Sequence, residues 1–62
     1  MSNVEDLKKA RRRLVGDRRA LAQVIAGPCE PEKSEEARAA FTKIQTTIEA
    51  VERALDDEER QL

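Results

Sequence analysis

The chain has 62 residues, of which 40% are charged and 2% are aromatic, and its formal net charge is -1. Such a charge content is typical of disordered segments unless the apolar residues recur with a regular period. A chain of about 60 residues buries only roughly 60% of the surface that it exposes when unfolded, so the core of one copy is marginal. The single Cys29 excludes an intrachain disulfide. Self-association or a protein partner is therefore the expected source of further stability.

Catalysis and membrane insertion are not expected either. The chain has no His that could act as a general base near neutral pH. With no His and a single Cys it lacks the ligands of a zinc site, and it has no glycine-rich phosphate loop. We therefore predict no enzyme activity, no catalytic residue, no cofactor and no metal site. No apolar run approaches the roughly 18 to 20 residues of a membrane span, and the N-terminal MSNVEDLKK lacks the apolar segment of a signal peptide. These features predict a soluble, cytoplasmic protein.

The first predicted element is a helix over about residues 3–26. Ser2 and Glu5 have the spacing of a capping box, in which the serine oxygen accepts from a free amide and the glutamate reaches back to the cap. Gly27 and Pro28 are expected to end the helix, because glycine accepts the left-handed conformation and proline cannot continue the ladder. Gly16 weakens the middle of the helix without ending it.

The apolar residues of this helix form one stripe. At about 100° per residue, four of them fall within about 40° of one another: Leu7, Leu14, Leu21 and Ile25. Ala10 and Val24 flank the stripe on one side, whereas Val4, Val15 and Ala22 flank it on the other. We expect this stripe to face the core.

A loop over about residues 27–33 and a second helix over about 34–60 follow, with Ser34 as a candidate N-cap. Alternating steps of four and three residues mark the buried face of the second helix: Ala37, Phe41, Ile44, Ile48, Val51 and Leu55. Small residues seven apart run beside that face, at Ala40, Thr47 and Ala54. Either they allow a second helix to approach closely, or they reflect only the abundance of alanine in this chain.

These elements predict an all-α fold, an antiparallel two-helix hairpin. One hairpin leaves the outer edges of both apolar strips uncovered, and a second hairpin can cover them. The expected form is thus a homodimeric four-helix bundle. Its predicted core has nine residues, the leucine stripe and the second-helix face without Ala37: Leu7, Leu14, Leu21, Ile25, Phe41, Ile44, Ile48, Val51 and Leu55. In length and topology this hairpin is similar to the Rop-type plasmid regulators, which are small dimeric RNA-binding hairpins. The resemblance is one of architecture, and no motif of that family carries an activity to this chain.

Charge is divided between the two halves of the chain. Residues 1–27 carry a balance of +4 and residues 28–62 a balance of -5. If the chain turns near residue 29, position i lies opposite about 59 minus i, which sets Lys8 and Lys9 against Glu49 and Glu52. The same arithmetic leaves Arg12 and its neighbour Arg13 opposite threonines. Antiparallel packing therefore brings most unlike charges together, but not all of them.

Arg11 and Arg18 fall inside the edge of the leucine stripe. They either cover apolar surface with their stems or pair across a dimer with Asp17, Glu52 or Glu59. A buried ion pair that fixes the dimer orientation is a further alternative. They could also join three exposed neighbours in a basic arc that binds phosphate or an acidic protein surface: Lys8, Arg11, Arg12, Arg18 and Arg19.

Two functional hypotheses follow. The first is a self-associating protein-protein interaction or adaptor module whose partners are a second copy, another protein, or both. The second is a Rop-like nucleic-acid-associated regulator that uses the basic arc; the sequence pI of 5.4 and the placement of Phe41 in the core argue against it. A membrane partner is not expected, because the leucine stripe is needed for the bundle. Cys29 is either an unremarkable loop thiol or a site of intermolecular disulfide formation.

Overall fold

The computed structural model describes residues 3–28 and 30–61, which form two α-helices, α1 (Asn3–Ala26) and α2 (Pro31–Arg60). The helices pack against each other along their length, and no β-strand occurs in these two ranges. The predicted all-α helical hairpin is therefore confirmed. The molecule is a rod of 47 × 15 × 14 Å.

α1 begins at Asn3, and the expected contribution of Ser2 to its cap lies outside the described residues. The helix ends at Ala26, with the Gly27 amide donating to the Gln23 carbonyl at 3.1 Å. Neither glycine has a positive φ, so the expected left-handed closure at Gly27 is wrong. Pro28 ends the helix instead, because a proline disfavours the helical conformation of the residue before it.

α2 begins at Pro31, about three residues earlier than predicted, and the connection shrinks to residues 27–30. Glu30 is extended with φ -62 and ψ 145, as expected before a proline, and makes no side-chain cap. Pro31 fits the first helical position, where its missing amide would have no helical acceptor. The Ser34 amide donates to the Glu30 carbonyl at 2.9 Å, so Ser34 lies inside the first turn and does not cap it.

Two side-chain hydrogen bonds fix the register of the antiparallel pair. Asn3 Nδ2 donates to Glu58 Oε1 at 3.1 Å, and Arg18 Nη1 donates to Gln45 Oε1 at 2.7 Å. Position i therefore lies opposite about 62 minus i, and the predicted 59 minus i is wrong by about 4.5 Å along the axis at 1.5 Å per residue. The corrected register sets Leu14 opposite Ile48.

The contact between the helices follows one repeating pattern on both. We call its residues the seam. On α1 the seam comprises Val4, Leu7, Arg11, Leu14, Arg18, Leu21 and Ile25, and on α2 it comprises Ala37, Phe41, Ile44, Ile48, Val51, Leu55 and Glu58. Every one of these side chains is buried or half-buried. Steps of three and four residues on both helices are the pattern of an antiparallel coiled coil.

Candidate protein interface

Two edges flank the seam, and they differ in composition. At about 100° per residue, equivalent sides of the two helices meet along the same edge of an antiparallel pair. The open edge carries Ala10, Asp17 and Val24 from α1 with Ala40, Thr47 and Ala54 from α2. The closed edge carries Lys8, Val15 and Ala22 from α1 with Arg38, Gln45, Glu52 and Glu59 from α2.

Arginine side chains cover the closed edge. Arg18 reaches from the seam of α1 to Gln45 on α2, and this hydrogen bond is partly buried. Arg11 occupies the equivalent seam position seven residues earlier and is half-buried. Long arginine stems cover apolar surface while the guanidinium reaches polar groups, and this agrees with the first of the predicted roles. The amide of Gln45 was not foreseen, because an argument from charge alone overlooks neutral partners.

Burial confirms the difference between the edges. Three of the four buried seam residues lean towards the closed edge, namely Val4, Ile48 and Leu55, at 9%, 2% and 3% exposure. Of the seam residues that lean towards the open edge, Ala37 near the start of α2 is buried, whereas the larger apolar ones are only half-buried: Leu7, Leu14, Leu21, Ile44 and Val51. Ile25 and Phe41, next to the connection, are half-buried too. All nine predicted core residues thus lie in the seam, but most of them keep part of their surface exposed.

The open edge is built from small and apolar residues. Ala40 and Ala54 are half-buried beside the seam. Val24 is 42% exposed, and among the described residues it is the large hydrophobic side chain that is classed as exposed. The Thr47 hydroxyl donates to the Lys43 carbonyl at 2.9 Å, so this side chain already uses its donor within the helix. A covering surface could bury Thr47 without leaving an unpaired hydroxyl donor.

The exposed area of the hairpin is larger than that of a compact protein. Its accessible surface is 5085 Å² for a mass of 7.0 kDa. A compact monomer of that mass exposes about 4,000 Å², so the excess is about 1,000 Å². A stable protein-protein interface buries about 800 Å² on each partner. The excess therefore matches the area that one docked partner would cover.

The predicted basic arc is divided by the structure. Arg11 and Arg18 belong to the seam, whereas Lys8, Arg12 and Arg19 are exposed on the outer flank of the closed edge. In residues 3–28 and 30–61 the ion pair found is Arg60 with Asp56 at 2.6 Å, within α2 and exposed. The expected direct pairing of Lys8 and Lys9 with Glu49 and Glu52 is therefore absent from these residues. The shifted register and the exposure of these side chains explain the difference.

The described surface outside the two edges has one further feature, an acidic hollow. An open hollow of about 360 Å³ near the start of α2 is lined by Glu32, Glu35, Glu36 and Ala39. No group of His, Cys, Asp or Glu in the described part of the chain has the arrangement of a metal site. The acidic hollow is thus a solvated helix face, and Cys29 lies outside the described residues.

Neither described helix is long and apolar enough to cross a membrane. No protein-family model, curated protein or solved structure matches the chain. An argument about function therefore depends on the two edges of the hairpin and on the charges that surround them.

Proposed function

We propose that the protein is a small non-enzymatic interaction module that pairs with itself through the open edge. The pairing forms a homodimeric four-helix bundle, and the outer helix surfaces are left to bind another protein. The observation that carries the proposal is the half-burial of Leu7, Leu14, Leu21, Ile44 and Val51 along one edge of an otherwise charged rod. Covering this edge would remove from water the apolar surface that the hairpin alone leaves open.

Two features of the open edge support close packing. Ala10, Ala40 and Ala54 lack bulk, which allows two helices to approach each other closely. The hydroxyl of Thr47 has its acceptor within α2, so burial removes no hydrogen bond that the residue needs. The excess surface of about 1,000 Å² per chain is also close to the area of a standard interface.

Light scattering after size exclusion tests the proposal directly. Concentration has to be followed by refractive index, because the chain contains neither Trp nor Tyr. We expect a mass of about 14 kDa, twice the 7.0 kDa of one chain. A mass of 7.0 kDa at all concentrations up to the millimolar range would rule out self-association.

Two adjacent alanines provide a matched pair of variants. Ala40 is half-buried on the open edge, whereas Ala39 is exposed on the outer face of the same helical turn. Ala40→Lys should weaken the dimer at least tenfold because it places a charge in the apolar contact, and Ala39→Lys should leave it unchanged. Equal dimer affinities for the two variants would mean that a different surface forms the contact.

A second candidate function is binding of an RNA or DNA backbone. It is favoured by the exposure of Lys8, Arg12 and Arg19 and by the lack of ion pairs to them within residues 3–28 and 30–61. It is weakened because Arg11 and Arg18 belong to the seam and Phe41 is half-buried there, which leaves no aromatic platform for stacking bases. We rank it below the interaction module.

Gel-shift titrations at low salt distinguish the two candidates. A nucleic-acid regulator should shift RNA or DNA in a salt-sensitive manner, and the double variant Arg12→Glu, Arg19→Glu should lose the shift while remaining helical. An interaction module should instead recover a protein partner whose binding survives nuclease treatment. Absence of any shift at low salt would eliminate the nucleic-acid candidate.

A further inference from the structure

The rim of the open edge carries charged side chains that make no polar contact within the described hairpin. Arg13 and Asp17 lie along α1 on this side, and Lys43 and Asp57 lie along α2. All four residues are exposed, and none of their side chains forms a hydrogen bond or ion pair within the described residues. Asp6 of α1 and Lys33 and Glu36 of α2 lie along the same rim nearer the helix ends, so each helix offers side chains of both signs to whatever covers the open edge.

These charges are arranged symmetrically about the middle of the rod. Arg13 and Asp17 are equally far from position 15 of α1. Lys43 and Asp57 are equally far from position 50 of α2, which the register places level with about position 12 of α1. Leu7 and Leu21 are equally far from Leu14. The three centres thus coincide within about one helical turn.

Such a pattern fits a two-fold axis that crosses the rod at its middle. In a two-fold contact, residue i of one copy meets residue j of the other, and j meets i. With the axis placed level with Leu14, Arg13 comes within about two residues of Asp17 of the second copy. Lys43 then comes within about four residues of Asp57 of the second copy. At 1.5 Å per residue these offsets are about 3 and 6 Å, which such long side chains can span.

We propose that the open edge binds a second copy of this chain that runs in the opposite direction, with α1 on α1 and α2 on α2. The inference rests on the proposed self-association and adds its orientation and its selectivity. Four rim ion pairs flank the contact, two between Arg13 and Asp17 and two between Lys43 and Asp57. The leucines of α1 lie between them, and the connections of the two copies point to opposite ends of the bundle.

A dimer whose two copies run in the same direction has weaker charge complementarity along the rim. Two copies running in the same direction would set α1 against α2, and position i would again lie level with about 62 minus i. Asp6 would then come within about one residue of Asp57 and Asp17 within about two residues of Lys43, so that a repulsive rim contact offsets an attractive one. Arg13 would be level with Glu49, which lies on the outer flank of the closed edge and outside this contact. On net charge alone, the contrast between a basic α1 and an acidic α2 favours that pairing. Most basic residues of α1, however, lie on or beside the closed edge and therefore outside this contact: Lys8, Arg11, Arg12, Arg18 and Arg19.

Charge reversal with mixing tests which helices meet. Arg13→Asp gives α1 two acidic rim residues, and Asp17→Arg gives it two basic ones. We expect each variant alone to dimerise about tenfold more weakly, because two attractive rim pairs become repulsive. An equimolar mixture should form the heterodimer in preference to both homodimers, with an affinity close to that of the unmodified chain. Native mass spectrometry with one variant isotope-labelled measures all three species at once.

A distance measurement gives an independent test of the orientation. A nitroxide on Glu30→Cys, in a Cys29→Ser background, marks the connection end of each copy. Because the rod is 47 Å long and 15 Å wide, opposite orientation puts the two labels roughly one rod length apart, whereas equal orientation puts them within about two widths. Pulsed electron paramagnetic resonance resolves these two cases.

The outcomes separate the failure of this inference from the failure of the proposed function. A long label distance with preferential heterodimer formation supports the inference. A dimer with a short label distance overturns the orientation, and a dimer whose variants mix at random overturns the rim pairing; self-association stands in both cases. A mass that stays at 7.0 kDa overturns the self-association and, with it, the inference.

Discussion

Ile48 is the most completely buried residue of the described chain, at 2% exposure in the middle of the seam. Replacement by alanine removes three side-chain carbons, which are worth about 0.8 kcal/mol each in transfer free energy. The cavity that remains adds to this loss, so we expect Ile48→Ala to lower the free energy of unfolding by about 3 to 4 kcal/mol per chain. A domain of this length is stabilised by only about 3 to 9 kcal/mol, so the variant should be close to unfolding.

Thermal melts followed by circular dichroism at 222 nm measure this loss. A shift of about 4 to 8 °C per kcal/mol predicts a melting temperature lower by at least about 12 °C. Ile48→Asp should unfold the hairpin, because it places a carboxylate at the most buried position of the seam. Chain concentration must be equal for all variants, since self-association would make the melting temperature depend on it. Thr46→Ala, on the exposed face of the same helix, is the control. If Ile48→Ala melted within about 3 °C of the parent, the assignment of the buried face would be wrong.

Three further predictions concern α1 and the closed edge. Gly16→Ala should raise the free energy of unfolding by about 0.5 to 1 kcal/mol, measured by urea titration, because a Cβ there meets nothing within 4 Å. Alanine variants of Arg18 and Gln45 should show a coupling energy of about 0.5 to 1.5 kcal/mol in a double-mutant cycle, and a coupling near zero would contradict their hydrogen bond. Arg11→Leu with Arg18→Leu should keep the chain helical but give a larger solution mass by light scattering, and an unchanged mass would mean that the arginines do not limit assembly.

The helices could be predicted from the sequence because periodicity and proline both act locally. Steps of three and four residues identified the buried face of α2, and Pro28 marked the end of α1. The start of α2 differs from the prediction, because proline is favoured at the first helical position and Pro31, not Ser34, marks the start of the helix. The register could not be derived with the same accuracy, because it depends on where the chain turns and on how far side chains such as Arg18 reach along the axis.

The seam of α1 shows that the local repeat can be read from the sequence, whereas the contacts between the helices cannot. Steps of three and four residues run unbroken from Val4 to Ile25 only when Arg11 and Arg18 are counted as seam positions. A search for apolar residues alone finds the leucine stripe and places both arginines at its edge. Gln45, which accepts from Arg18, could be found only once the register was known. Long-range pairing therefore needed the structure, although the local pattern was present in the sequence.

The arginines of the seam also explain why a self-associating hairpin need not assemble without limit. A rod with two apolar edges could bind a copy on each side, and the stack would then have no natural end. Arg11 and Arg18 cover one edge with long stems and present charge and a hydrogen bond to Gln45 on that side. A copy that docked there would have to remove the guanidinium groups from water, which is costly unless it supplies partners for them. In the proposed assembly each chain thus associates through its open edge, and pairing of two chains buries both open edges, so the assembly stops at the dimer.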